Sequence, residues 1–146
     1  MKYPATLAIG AALVSSVACT KAPTQAAASR SSALMRIESL PPGDPQKFHD
    51  VRKMRDWKNP YLIVRADGVA LLDVSDNEEK LLTPDQLLDA LANLPTSAWP
   101  YGRVVAVAES ATATSESDRA RLRKNRALVA GSLENMQILI NWVPAA

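Results

Sequence analysis

The stretch that decides the fold is YLIVRADGVALLDV at residues 61–74, where two apolar runs flank an Asp-Gly pair. The runs at 61–66 and 69–74 are rich in Leu, Ile and Val, and such runs favour β-strands. Asp67 and Gly68 tolerate the left-handed backbone angles of a type I′ turn. The stretch therefore predicts a β-hairpin whose two-residue link is Asp67-Gly68.

Downstream of the hairpin, the first signal is that of a helix. Residues 75–80 are polar and predict a loop. Thr83, Pro84 and Gln86 form a helix start, with a cap, a proline at the first helical position and the far member of a capping box. Four leucines then recur at helical spacing: Leu87, Leu88, Leu91 and Leu94. They predict one apolar stripe on a helix that Pro95 ends.

The rest of the chain alternates strand and helix. Residues 103–108 predict a central strand, and Ser115 with Asp118 forms a capping box that opens a helix to about Asn135. Residues 137–143 predict a buried final strand. Strands that alternate with helices imply crossover connections. We therefore predict an α+β fold, a two-layer sandwich whose small mixed β-sheet has the order β-β-α-β-α-β after a short N-terminal helix.

The segment ahead of the hairpin predicts that N-terminal helix. Asp44 is a cap acceptor and Pro45 suits the first helical position, so we expect a short helix over about residues 45–56. Asn59 ends it, because the residue before a proline is pushed out of the helical region. The single folded domain is predicted over residues 35–146.

The beginning of the chain has the layout of an export signal. Lys2 precedes an apolar run at about residues 7–14, and small residues follow up to Cys19. The run is shorter than the roughly 18 to 20 apolar residues that span a bilayer. We therefore expect residues 1–18 to be a signal peptide.

Residues 16–19 resemble the lipobox of bacterial lipoproteins, in which an aliphatic residue and two small residues precede the cysteine that becomes lipidated. This chain has Ser16 at the position where that family usually has Leu. The resemblance implies lipidation of Cys19, the only cysteine in the chain. The alternative is ordinary cleavage after Ala18 and a soluble periplasmic or secreted protein. Because residues 20–32 hold no large apolar side chain to bury, residues 19–34 predict a flexible tether.

The composition excludes several classes of site. The 146 residues include 17 basic and 15 acidic ones, which give a net charge of +2 and no electrostatic footprint for nucleic acid. One cysteine excludes an internal disulfide framework and a cysteine-based zinc cluster, and one histidine removes most histidine-based metal sites. We expect no cofactor, no metal and no nucleic-acid partner, and no motif identifies a small-molecule ligand.

Two polar features suggest catalysis or metal binding. His49 lies beside Asp50, and histidine is the commonest general acid or base in enzymes. No G-x-S-x-G elbow supplies a nucleophile, so we expect a solvated histidine. Residues 73–79 cluster oxygen ligands as a calcium loop does, but they lack the D-x-D-x-D-G spacing. We expect a solvated loop there.

Two aromatic segments form one candidate binding surface. Trp57 and Tyr61 frame the first segment, Trp99 and Tyr101 lie in the second, and both segments contain a proline and precede a predicted strand. Exposed rings of this kind anchor many interfaces. The alternative is that these scarce aromatic residues close the ends of a small core.

A run of cations in the last predicted helix forms a second candidate surface. Its members are Arg119, Arg121, Arg123, Lys124 and Arg126. They suit anionic lipid headgroups or an acidic partner, and Arg119 and Arg123 are the candidate contacts. The alternative is a solvated helix whose cations pair with acids such as Glu116 and Asp118.

The order of elements over about residues 61–143 resembles the periplasmic domain of the ExbD/TolR biopolymer-transport family. Residues 63–67, Ile-Val-Arg-Ala-Asp, are similar to a strand segment of that family. The resemblance implies a small envelope domain that works by contacting partners. That family also uses an aspartate in a transmembrane helix for proton coupling, and the N-terminal segment here has no acidic residue to carry that role.

Together these features predict an exported, lipid-anchored domain at the periplasmic face of a membrane in the cell envelope, acting as a non-catalytic binding or structural module. Its expected partners are an envelope protein or a cell-wall component, and the membrane through the lipid anchor. One alternative is an exported hydrolase with an unrecognised site. Another is a membrane-surface binder that uses the basic helix.

Overall fold

A computed structural model of the chain describes residues 25–51, 54–72 and 78–144. Within these ranges an N-terminal helix is followed by three strands, and then helices and strands alternate. Their bounds are α1 Gln25–Glu38, β1 Tyr61–Val64, β2 Val69–Leu72, β3 Glu79–Leu82, α2 Leu87–Ala92, β4 Val104–Glu109, α3 Glu116–Asn135 and β5 Leu139–Trp142.

The five strands form one mixed sheet in the order β3-β2-β1-β4-β5. β2 pairs antiparallel with both β1 and β3, whereas β4 pairs parallel with both β1 and β5. The route from the hairpin to β4 passes through α2, and the route from β4 to β5 passes through α3. The predicted α+β fold with a mixed sheet is therefore confirmed.

The helices cover one face of the sheet, which creates the two layers. Side chains alternate along a strand, so Leu62 and Val64 of β1 face the helices and Ile63 faces the opposite side. The largest fully buried side chains that the helices contribute are Ile37, Leu87, Leu91, Val129 and Leu133. A smaller apolar cluster on the opposite face recruits residues that precede β1 and β4.

The predicted hairpin is confirmed, but its turn is not the predicted one. The Arg65 N–H donates to the Gly68 carbonyl at 2.9 Å, so Ala66 and Asp67 are the central residues of the turn. Neither has a positive φ, which a type I′ turn requires. Gly68 is needed for space instead, because a Cβ there would lie 2.5 Å from the carbonyl oxygen of Leu82 on β3.

β3 is a strand that the polar pattern of residues 75–80 did not predict. Glu79 lies opposite Leu72 in an antiparallel ladder, and Lys80 follows it. Polar, exposed side chains such as these are typical of a loop in sequence. Backbone hydrogen bonds to β2 nevertheless hold the two residues in a strand at the edge of the sheet. The strand and helix order is therefore β-β-β-α-β-α-β.

α1 corrects the prediction of a flexible tether over residues 19–34. Residues 25–34 are helical, and Ala33 and Ile37 are buried against α2. Alanine-rich sequence forms helix readily, and these two buried side chains anchor it. The folded domain therefore includes Gln25 rather than beginning at residue 35, and residues 1–24 lie outside the described part.

The helix predicted over residues 45–56 is replaced by two short 3₁₀ turns, Pro45–Lys47 and Met54–Asp56. The predicted start is confirmed, because the Asp44 side chain accepts the N–H two residues on at 3.0 Å. Phe48 ends the first turn with φ −132° and ψ 0°. Its ring packs into the apolar cluster on the helix-free face of the sheet. A helix that continued past this residue would not place the ring there.

The other helix starts are as predicted. The Thr83 N–H donates to Oε1 of Gln86 at 3.0 Å, and the Asp118 N–H donates to Oγ of Ser115 at 3.0 Å. The leucine stripe of α2 packs into the helix side of the core: Leu87, Leu88 and Leu91 are buried, and Leu94 lies beside them. The last strand differs from its prediction, because β5 is an edge strand rather than a buried one.

Candidate functional site

Three of the four candidate aromatic residues lie in the cluster on the helix-free face of the sheet. Trp57, Tyr61 and Tyr101 are all buried there. The ring centroids of Trp57 and Tyr101 are 5.2 Å apart, and Phe48 stands edge-on to Trp57 at 5.5 Å. Burial raises the pKa of the Tyr61 hydroxyl. These rings close the core rather than present an exposed face.

Trp99 lies on the other side of the sheet, in the core beneath the helices. The structure thus brings Trp57 together with Tyr101, as the sequence suggested, but not with Trp99. All four candidate rings are therefore buried side chains of the core.

A buried amide fastens the aromatic cluster to the sheet. Asn59 is fully buried, and its Nδ2 donates to the carbonyls of Gly102 at 2.8 Å and Val104 at 2.7 Å. Its Oδ1 accepts the Tyr101 N–H at 2.9 Å. In the parallel ladder of β1 and β4, the Val104 carbonyl faces the N–H position of residue 60, and Pro60 has no N–H. Asn59 supplies the missing donor.

Three of the five cations in the α3 run are paired along the helix. Arg119 and Arg123 each contact the Glu116 carboxylate at 3.1 Å, and Arg121 contacts Asp118 at 2.6 Å. Arg123 and then Arg119 lower the pKa of Glu116 by hydrogen bonding to its carboxylate. These pairs favour the interpretation of a solvated helix for the candidates Arg119 and Arg123.

His49 is an exposed side chain near the start of the aromatic segment. Its Nδ1 lies 2.9 Å from the Gln46 carbonyl oxygen and its Nε2 lies 3.1 Å from the Asp50 carboxylate. In residues 25–51, 54–72 and 78–144, no group of three or more His, Cys, Asp or Glu side chains is arranged to hold a metal ion. Over the same ranges, every helix is too short or too polar to cross a bilayer.

Other sequence candidates lie partly outside the described residues. Glu79 of the acidic segment forms an ion pair with Arg65, whereas Asp73, Asp76 and Asn77 lie outside the described residues. Cys19 lies outside them as well, so lipidation stays a prediction.

Two open grooves flank the helix layer. The first, of about 520 Å³, lies between α1, α2 and α3, and Leu34, Leu88 and Leu128 line its apolar part. The second, of about 810 Å³, lies beside the start of β3 and the end of α2, and Lys58 and Lys80 contribute to its polar wall. Neither groove gathers the candidate aromatic residues.

The outer edge of β5 is the feature best suited to binding. The N–H groups of Leu139 and Val143 donate to carbonyls just before and within β4, at 2.9 and 3.0 Å. In a parallel pair, the backbone groups of alternate residues point to opposite sides. The N–H and C=O groups of Ile140 and Trp142 therefore point away from β4, on the side where the described chain has no further strand.

The side chains of the β5 edge are uncharged. Residues 139–143 read Leu-Ile-Asn-Trp-Val, and Leu139 and Trp142 are 44% and 41% exposed. Natural edge strands usually carry charges, prolines or bulges that prevent another strand from adding. β3, at the opposite edge, follows this rule with exposed Glu79 and Lys80. The sheet therefore has one protected edge and one open edge.

The Trp142 side chain of the open edge contacts a cation, Arg126, which has its own counter-charge. The Arg126 guanidinium lies 4.6 Å from the centroid of the Trp142 ring, as in a cation–π pair. Its Nη1 is 2.7 Å from the Glu109 carboxylate. These contacts hold the Trp142 side chain against α3.

Sequence reasoning missed this edge because an uncharged apolar run is typical of a buried strand. The available signal was the pair Val143-Pro144 at the end of the run, since a proline is tolerated at a strand end or edge. No family model matches this chain, and no match was found among curated proteins or solved structures.

Proposed function

We propose that this chain is an exported, lipid-anchored cell-envelope domain that acts as a non-catalytic binding module, and that its binding surface is the open edge of β5. The observation that carries the binding role is the pair of outward-facing peptide groups at Ile140 and Trp142, flanked by uncharged side chains. Such an edge accepts an added strand through main-chain hydrogen bonds.

The anchor rests on the residues around Cys19. Acyl chains contribute roughly 0.8 kcal/mol per buried methylene, so two or three chains hold a small domain at a membrane. A lipid anchor would hold the domain next to envelope components. Among these, an open β5 edge suits a protein partner more than a cell-wall glycan, because peptide groups pair with peptide groups.

The anchor is tested by metabolic labelling with a palmitate analogue. We expect label in the wild-type chain and none in Cys19→Ser. Serine is similar in size to cysteine but has no thiol to acylate. Equal labelling of both chains would contradict the anchor. A native protein that still begins at Met1 and is recovered from the cell interior would contradict export.

The binding role is tested by photo-crosslinking in cells. A benzophenone amino acid replaces Leu139 on β5 or, as the matched control, Leu81 on β3, which is an exposed leucine on the charged edge. We expect a discrete adduct from position 139 and none from position 81. Equal adducts from the two positions, or none from position 139, would contradict a binding edge at β5.

A further inference from the structure

We propose that the β5 edge pairs with β5 of a second copy of this chain, antiparallel across a two-fold axis at Asn141. The inference rests on the proposed function, because it names the occupant of the same edge. It follows from the hydrogen-bond directions, the side-chain order and the charges of residues 139–143.

The backbone pattern matches a two-fold axis. A two-fold axis beside an edge strand makes the new pair antiparallel. With the axis at Asn141, Ile140 lies opposite Trp142 of the second copy, and these are the residues whose peptide groups point outward. Each such pair exchanges two N–H···O=C bonds. Two pairs therefore form four hydrogen bonds and leave no outward N–H of β5 unpaired.

The apolar side chains of β5 are distributed symmetrically about Asn141. Asn141 is the central residue, and two apolar residues lie on each side of it: Leu139, Ile140, Trp142 and Val143. In the two-fold register Asn141 faces the second Asn141, so two amides meet. Ile140 faces Trp142, an aliphatic–aromatic pair of the kind that stabilises neighbouring strands. A shift of one residue would place the amide against an apolar side chain.

The charges permit two identical edges to meet. Residues 138–144 carry no ionisable side chain, so no like charges oppose each other along the strands. The cation on this edge, Arg126, is already paired with Glu109 and lies over its own Trp142. The charged β3 edge lacks this property, since Glu79 and Lys80 are exposed on it. Two copies therefore join through β5 into one ten-stranded sheet.

Pro144 sets the end of the pairing. A proline has no N–H to donate to an added strand. In the two-fold register, residue 144 lies opposite residue 138, and the Ile138 N–H is already bonded to the Leu133 carbonyl at 2.9 Å. The pairing is therefore limited to the five residues between them, which favours a closed dimer over an open fibre.

The register is tested by disulfide crosslinking in the full chain carrying Cys19→Ser, so that an introduced cysteine is the only thiol. Opposed residues of a non-hydrogen-bonded antiparallel pair have Cα atoms about 4.5 Å apart, which a disulfide spans. We expect Asn141→Cys to form a covalent dimer under mild oxidation, at least tenfold faster than the control.

The matched control is Leu139→Cys. In the proposed register the two Leu139 positions lie roughly 14 Å apart along the strands, at about 3.4 Å per residue, so this variant forms no disulfide. Leu139 is 44% exposed, so random collisions would crosslink it readily. In the double variant Leu139→Cys/Val143→Cys, the cysteine at position 139 of one copy lies opposite the cysteine at position 143 of the other copy. We expect this variant to crosslink.

Native association is measured by sedimentation of the Cys19→Ser chain at about 100 µM, where a contact of micromolar Kd is populated. We expect twice the chain mass. Asn141→Asp places two carboxylates at the axis, and we expect it to raise the Kd at least tenfold at neutral pH, whereas Asn141→Ser stays dimeric.

Monomeric sedimentation at that concentration, or Asn141→Cys crosslinking no faster than Leu139→Cys, overturns the second-copy proposal. The proposed function fails separately, when the benzophenone at Leu139 yields no adduct in cells. If the chain sediments as a monomer but the benzophenone at position 139 still gives an adduct of another mass, the β5 edge binds a different protein. That outcome overturns the second-copy proposal and leaves the proposed function in place.

Discussion

Asn59 shows how one side chain joins two segments that are far apart in the sequence. It holds three backbone groups of the segment around Gly102 and replaces the ladder bond that Pro60 cannot donate. We expect Asn59→Ala to lower the free energy of unfolding by about 3 kcal/mol, because each buried polar group left unpaired costs about 1–3 kcal/mol. Urea unfolding measures it.

The control for Asn59 is Asn125→Ala. Asn125 donates to the Arg65 carbonyl at 2.8 Å from a partly buried position, where water can replace the lost donor. We expect a cost of about 1 kcal/mol. A loss for Asn59→Ala no larger than that for Asn125→Ala would contradict the role assigned to the buried amide.

Gly102 and Gly131 offer a contrasting pair of substitutions by alanine. Gly102 has φ 77°, and a Cβ there would lie 2.1 Å from the Pro42 carbonyl oxygen, so we expect Gly102→Ala to cost more than about 2 kcal/mol. Gly131 is in α3 with open space around it, so we expect Gly131→Ala to add about 0.5–1 kcal/mol. Thermal unfolding of both variants checks the signs, and stabilisation by Gly102→Ala would contradict the close approach.

Among the elements, we expect the first turn of α3 to respond to acid. The Ser115 hydroxyl and then Arg121 lower the pKa of Asp118 by hydrogen bonding, and Arg123 and Arg119 lower that of Glu116. A carboxyl with a lowered folded pKa stabilises the fold at pH above its unfolded value, ordinarily about 4. That stabilisation is lost as the pH falls through the folded pKa.

We therefore expect the start of α3 to open in acid before the middle of the helix does. NMR titration of the two carboxyl carbons measures their pKa values, and amide exchange of Asp118 measures the opening. Ser115→Ala removes both the cap and the hydroxyl bond, so it raises the pKa of Asp118 toward its ordinary value and costs about 1 kcal/mol. Carboxyl pKa values at or above the ordinary ones in the unmodified chain would contradict the assignment.

Local signals predicted the elements that are stabilised locally. The capping residues Thr83 and Ser115 mark helix starts correctly, and the apolar runs of the hairpin mark two strands. β3 was missed because Glu79 and Lys80 are held by bonds to β2 rather than by burial of their own side chains. α1 was missed because it buries only Ala33 and Ile37, so its sequence shows no apolar stripe at helical spacing.

At the scale of the whole molecule, sequence could predict the fold class but not the position of each strand in the sheet. β4 and β5 are both apolar runs, yet β4 is flanked by strands on both sides and β5 on one. That difference arises from pairing across the chain, which a run of side chains does not encode. The candidate site was hidden for the same reason, because the open edge exists only once the strand order is known.

The burial of the aromatic candidates also depends on the arrangement of the sheet and helices. The sequence placed Trp57 and Trp99 in similar Pro-containing segments, but the two residues enter opposite faces of one sheet. A ring close to the start of a strand is exposed or buried according to what covers that face. Here the segment ahead of β1 covers one face and the helices cover the other.

Hydrogen exchange of the Ile140 and Trp142 amides shows whether a second copy occupies the open edge of β5. Purified Cys19→Ser chain is measured by NMR at several concentrations, with the amides of β3 as the internal reference. We predict that protection of both β5 amides rises with concentration in this chain and is lost in Asn141→Asp, while β3 stays unchanged. Rapid exchange of the Ile140 and Trp142 amides at every concentration would contradict pairing of β5 with a second copy.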